Sequence, residues 1–162
     1  MKRKGSKKQA RPKFVLSGVR PGWGEYFMKI AEIVATRSTC NRRSVGAVLV
    51  RARVILSTGY NGAPRGMEHC DESGHEIVDG HCVRTVHAEA NALVQAARNG
   101  ISIDGSTMYL THSPCYDCFK MMVNGGVSAV YYKDFYMSRY EASERVLKLA
   151  KKAGVLIKKL SA

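Results

Sequence analysis

A chain of 162 residues fits one domain with a real core, and nothing in its composition argues for two. Hydrophobic residues make up 45% and charged residues 24%, and no apolar run approaches the ~20 residues of a membrane span, so a membrane-spanning helix is excluded. The net charge of +13 invites a nucleic-acid partner, but seven basic residues, Lys2, Arg3, Lys4, Lys7, Lys8, Arg11 and Lys13, precede Phe14 and leave +6 for the rest, which suits a small phosphorylated ligand equally well.

Residues 1–13 lack the apolar core and small-residue cleavage site of a secretory signal. They read as a disordered basic tail on a soluble cytoplasmic protein, with a single domain over 14–162. A first helix is expected from Trp23 to about Thr36, where Tyr26, Phe27, Ile30, Ile33 and Val34 recur at helical spacing. Ser44 to Val50 and Arg53 to Tyr60 are short segments rich in β-branched residues around a tight turn, which predicts a β-hairpin. From about Asn61 to Arg84, glycine, proline, two cysteines and three histidines occur without periodicity, predicting a long irregular loop that something must hold together. "HAEANALVQAARNG" reads as a helix ended by Gly100, "STMYLTH" as a strand and "YDCFKMMVNGG" as a buried helix. "VSAVYYK" follows as a strand, "SRYEASERVLKLAKKAG" as an amphipathic helix and "VLIKKL" as a last strand. An opening hairpin followed by alternating strands and helices predicts a three-layer α/β/α domain with a mixed sheet.

Five cysteines in a chain read as non-secreted point to thiols or metal ligands rather than disulfides. Zinc takes nitrogen and sulfur donors tetrahedrally, and a catalytic site gives it three protein ligands and leaves the fourth place to water. His87, Cys115 and Cys118 supply that number. Two cysteines at a helix start can turn both sulfurs toward one point, where the positive helix end favours thiolate, and His87 opens a second helix. Glu89 lies too close to His87 in sequence for both to be comfortable ligands of one ion, so its carboxylate is better used to carry protons at a zinc-bound water. Either half alone is weak, since Cys-x-x-Cys also serves as a redox pair and His-x-Glu arises by chance. Together, on successive strand-helix units, they carry weight.

"HAE" at 87–89 followed by "PCYDC" at 114–118 resembles the signature of the zinc-dependent cytidine deaminase superfamily, which implies a five-stranded mixed sheet with flanking helices. "WGEYFMKIA", "TRSTCNRRSVGAVLV", "STGYNGAPRG", "HCVRTVHAEANAL", "GSTMYLTHSPCYDC" and "VYYKDFY" resemble, in order, segments of deoxycytidylate deaminases. That resemblance implies hydrolysis of dCMP to dUMP and ammonia by a zinc-activated water, supplying dUMP for dTTP synthesis. It implies that Glu89 moves the protons, that Asn61 binds the substrate sugar, that the Ala88 backbone N–H faces the base, and that Tyr136 closes over the nucleotide. Arg84 and Lys120 are candidates for the substrate phosphate. The tRNA adenosine deaminases share a similar glycine-aromatic-asparagine motif, but their interval from that asparagine to the zinc histidine is short, whereas Asn61 and His87 are separated here by twenty-five residues. A catalytically silent nucleotide-binding regulator is the other alternative, and the intact Glu89 argues against it. Nucleic acid is not the expected partner.

Cys40, Cys70 and Cys82, with His69, His75 and His81, stand outside the catalytic set. They are either buried thiols with solvated histidines or a structural zinc site tying the loop to the region after the first helix. Some deoxycytidylate deaminases carry such a second zinc, and Cys40 and Cys70 match its cysteine positions. Spacing adds Cys82, with His75 or His81 as the fourth ligand. The resemblance further implies a homohexamer activated by dCTP and inhibited by dTTP with Mg2+. Its effector site is expected to border Gly59, Tyr60, Asn61 and Gly62, with Arg37 and Arg98 contributing at subunit boundaries, although Gly59 and Gly62 also suit ordinary strand-end turns.

Overall fold

Two adjacent residues in the left-handed backbone region, Ala52 and Arg53 (φ 49° and 66°), fold β1 (Gly46–Arg51) back onto β2 (Val54–Tyr60) as the expected antiparallel hairpin. The computed structural model describes residues 20–135 and 142–160, so the basic tail and Tyr136 lie outside the described residues. On its other side β1 pairs antiparallel with β5 (Thr107–His112), which runs parallel to β6 (Ala129–Asp134), itself parallel to β7 (Leu156–Lys159). The result is the anticipated mixed five-stranded sheet, in the order β2-β1-β5-β6-β7.

Strand alternation divides the core in two. Ala47, Leu49, Met108 and Leu110 face α3 (Ala88–Arg98), α4 (Tyr116–Asn124) and α5 (Ala142–Ala153), meeting Ala88, Ala92, Phe119, Met122, Val146 and Ala150. Val48, Val50 and Tyr109 face the opposite way, against Phe27, Met28 and Ala31 of α1 (Trp23–Ala35). Helix, sheet and helix thus form the three layers that the element order predicts.

The stretch between Asn61 and Arg84 departs from the expectation of a wholly irregular loop. It contains α2 (Cys70–Ser73) and a small hairpin of β3 (Ile77–Val78) and β4 (His81–Cys82), turned at Asp79 and Gly80 with φ of 48° and 75°. Asp-Gly is a strong hairpin signal. Its flanks, with Ile77 and Val78 both exposed, give no alternation by which a strand would be recognised.

The feature that positions the site is how closely α3 lies on β2. Ala88, Ala92 and Ala96 are essentially inaccessible, and small side chains at this spacing let the helix backbone descend onto the strand. Gly59 completes the contact, because a Cβ there would sit 2.2 Å from the Ala88 carbonyl oxygen and 2.4 Å from the Ala92 nitrogen. Ser57 Oγ donates to the Ala92 carbonyl at 2.8 Å, and Asn91 Nδ2 donates to the Tyr60 carbonyl at 2.8 Å, locking the helix start to the strand end. Gly59→Ala is therefore expected to destabilise the protein by about 2 kcal/mol through overpacking against backbone, read as a lower urea midpoint with unchanged slope. An unaltered midpoint would show that the contact is slack.

Candidate active site

Two helices begin at the same point in space. His87 is the N-cap of α3 and Cys115 the N-cap of α4, both with extended backbone (ψ 152° and 164°), so each side chain projects beyond the first turn of its helix. Cys118 lies one turn further along α4, and its backbone N–H donates to Cys115 Sγ at 3.4 Å. Both sulfurs stand 3.5 Å from His87 Nδ1. A tetrahedral zinc with Zn–N of ~2.0–2.1 Å and Zn–S of ~2.3 Å sets its nitrogen and sulfur ligands ~3.5 Å apart. The three side chains predicted as ligands are thus gathered with the spacing and donor chemistry of a zinc site, all donor atoms lying within 4.8 Å of one another.

The charges fit an ion as well. The Cys118 hydrogen bond and the neighbouring His87 draw the Cys115 thiol down to about 4 against the opposing effect of burial. The Cys115 contact raises His87 to about 9, and the Cys115 contact and burial push Cys118 far up. Three donors that must otherwise share protons among themselves are well suited to exchange them for a divalent cation.

Glu89 sits in the first turn of α3, outside this triad and only 5% exposed. Burial pushes its carboxyl up to about 7, with the His87 charge opposing. A cavity of about 240 Å³ opens onto it, with Ala88 and Asn61 among its walls as anticipated for substrate contacts. Asn61 is nearly inaccessible and already structural: Oδ1 accepts from the Val45 N–H at 2.8 Å and Nδ2 donates to the Arg43 carbonyl at 2.9 Å. Its second lone pair and second N–H are the atoms left for a ligand.

Arg84 and Lys120, the expected phosphate ligands, do not line this cavity. Arg84 Nη1 is directed at the Glu68 carbonyl (3.5 Å), and Lys120 pairs with Asp117 at 2.8 Å. Arg42 and Arg43 line it instead, with Thr85, His112 and Ser113, none of which sequence reasoning singled out. A signal existed for the last two, since they end β5 and ligands gather beyond the carboxyl ends of strands where chain order switches.

The second cluster also assembles. Cys40, Cys70 and His75 bring their donor atoms within 4.8 Å of one another, and Cys82 Sγ approaches Cys70 Sγ to 3.7 Å. His75 Nε2 is bonded to Asn41 Oδ1 at 2.7 Å, whereas its Nδ1 is buried with no hydrogen-bond partner. A buried orphan nitrogen oriented by a second-shell amide, beside thiols, is what a metal ligand requires. Burial pushes Cys70 up to about 11; Cys82 is drawn down, against burial, by the Arg84 backbone N–H and by Cys70. His75 rather than His81 joins the three-residue group; His81 is half-buried on the cavity wall.

The residues expected around an effector are more dispersed. Gly59 is buried against α3, Tyr60 is 38% exposed, and Gly62 forms a bridge with Val86. Arg37 and Arg98 are exposed, but Arg98 lies six residues beyond Ala92 on α3, roughly 9 Å further along the axis from the Gly59 contact. Within one chain the structure does not bring Arg98 to that segment.

Residues 21–134 match the family described as the cytidine and deoxycytidylate deaminase zinc-binding region. The chain is 40% identical over 141 residues to ComE operon protein 2 of Bacillus subtilis (strain 168), covering 87% of this chain and 72% of that protein. It is 37% identical over 149 residues to the deoxycytidylate deaminase of Saccharomyces cerevisiae, covering 88% of this chain and 46% of the yeast protein, so it spans less than half of that relative. Among solved structures, the dCMP deaminase of cyanophage S-TIM5 in complex with dCMP and dUMP superposes with a TM-score of 0.74 at 38% identity, over 88% of this chain and 100% of the phage chain.

Proposed function

The chain belongs to the cytidine and deoxycytidylate deaminase family, and from that membership we propose that it hydrolyses dCMP to dUMP and ammonia. The observation that carries the reading is the meeting of a His/Cys/Cys triad with a buried, non-ligating carboxylate at one cavity. Zinc held by His87, Cys115 and Cys118 would supply a Lewis acid that brings the acidity of water toward neutral pH.

Glu89 then takes a proton from the attacking water and delivers it to N3 of the cytosine, which makes C4 electrophilic. As the C4–N4 bond breaks, Glu89 passes the second proton of the water to the departing amine, so that dCMP and water leave as dUMP and ammonia. Burial of its carboxyl keeps both protonation states within reach, as a group that accepts and returns protons needs. The Ala88 N–H faces the base and the remaining N–H of Asn61 holds the sugar. The dUMP formed feeds dTTP synthesis, and the five free thiols suit a reducing cytoplasm. Among the described residues no helix is long and apolar enough to cross a membrane.

A second zinc at Cys40, Cys70, His75 and Cys82 holds the 61–86 segment to the residues after α1. Regulation by dCTP, and by dTTP with Mg2+, operates in a hexamer, where a neighbouring subunit can bring Arg98 toward Tyr60. Exposed apolar side chains on α1 and α3, Ile33 (69%) and Val94 (54%), favour such assembly.

Three measurements follow from this reading. Glu89→Gln is expected to keep zinc and fold while losing about 10³-fold or more in kcat for dCMP, and turnover comparable to wild type would remove Glu89 from the chemistry. Zinc analysis should give two equivalents per chain, one lost in Cys115→Ala and another in Cys40→Ser; one equivalent, untouched by Cys40→Ser, would reject the second site. Saturation curves for dCMP should steepen with dTTP and relax with dCTP, while hyperbolic curves indifferent to both would remove the regulation.

A further inference from the structure

We propose that Arg42 and Arg43 bind the 5′-phosphate of the nucleotide and make the chain select a nucleoside monophosphate over the free nucleoside; this deepens, and rests on, the deamination of dCMP proposed above. The cavity is graded in depth. Ala88 and Glu89, 0% and 5% exposed, lie at its floor, whereas Arg42 and Arg43 are exposed at its rim. A cytosine whose C4 reaches Glu89 must therefore extend its sugar and phosphate outward, toward the two guanidinium groups.

The chemistry at the rim matches that end of the ligand. A phosphate dianion is best held by planar, forked cationic donors, and arginine supplies them. Glu89 is the one carboxylate among the described residues that line the cavity, so no acidic wall residue at the rim competes for the arginines. Lysine and arginine elsewhere nearby are engaged away from it, Lys120 with Asp117 and Arg84 toward the Glu68 carbonyl.

The backbone that carries the pair is fixed before any ligand arrives. The Arg43 carbonyl accepts from Asn61 Nδ2 at 2.9 Å and from Ser38 Oγ at 3.5 Å. Arg42 Nη2 donates one hydrogen bond to the Gly80 carbonyl at 3.2 Å, at the turn of the β3–β4 hairpin, and a guanidinium has five N–H groups to give. Just before them, Asn41 is held by His75, and Cys40 lies in the second Cys/His cluster. The segment is thus strung between that cluster and Asn61, which limits the entropy lost when a phosphate is clamped.

The test compares dUMP with deoxyuridine by isothermal titration calorimetry, and dCMP with deoxycytidine by kcat/KM, in wild type, Arg42→Gln, Arg43→Gln and the double lysine variant, with zinc content and circular dichroism recorded for each. Each glutamine substitution should reduce the preference for dUMP over deoxyuridine by about 10- to 100-fold. The kcat/KM preference for dCMP should fall in step, and lysine should restore part of it. Because both readouts are ratios within one variant, a partial loss of fold does not imitate the effect. If a glutamine variant fails to fold, the lysine variant decides, since it keeps charge but loses the fork and should still discriminate less than wild type. An unchanged preference in folded variants would overturn the arginine assignment alone. A wild type that deaminates neither dCMP nor deoxycytidine would overturn the deaminase reading beneath it.

Discussion

Everything in this molecule that bears on chemistry depends on two helix N-termini being brought to one point. His87 Nδ1 stands 3.5 Å from both Cys115 Sγ and Cys118 Sγ only because α3 and α4 start beside each other over the same sheet face. The packing behind this is tight at the backbone level: Gly59 and the alanines of α3 leave no room for a side chain between helix and strand. The same helix start places Glu89 one residue inside α3, where it is buried yet too near His87 in sequence to ligate the same ion with it. Geometry of packing and division of labour are thus one constraint.

The second cluster extends that constraint to the other wall of the cavity. Residues 40–43 and the β3–β4 hairpin have too few apolar contacts to hold one another, and Ile77, Val78 and Val83 are exposed. What joins them is polar and sulfur chemistry: the Cys40, Cys70 and His75 group, the approach of Cys82, the Asn41–His75 hydrogen bond and the Arg42–Gly80 contact. A wall built this way owes its shape to its ligands more than to a core. Its Cys40, His81 and Cys82 line the same cavity as His87 and Glu89.

What could be read from the sequence divides along the range of the interactions. The strands, the long helices and the catalytic cluster were legible because local periodicity and two short motifs at element starts specify them, and the fold then had little freedom in where to put them. The β3–β4 hairpin was missed because Asp79-Gly80 marks a turn whose flanks bury nothing. The phosphate end was misplaced for a different reason. Arg84 and Lys120 have suitable chemistry and stand near the motifs in sequence, but close neighbours such as Asp117 claim them, whereas Arg42 and Arg43 reach the cavity through contacts with residues 61 and 80 that no local pattern encodes. Arg98 likewise has the right charge at a distance from Gly59 that only another subunit could close.

The most direct test of the central claim is ammonia release by the purified zinc-loaded protein with dCMP, cytidine, dCTP and a tRNA anticodon stem offered in parallel. Turnover confined to dCMP, with dUMP formed in equal amount, is the result this account predicts. Release of ammonia from the tRNA stem with dCMP untouched would contradict it.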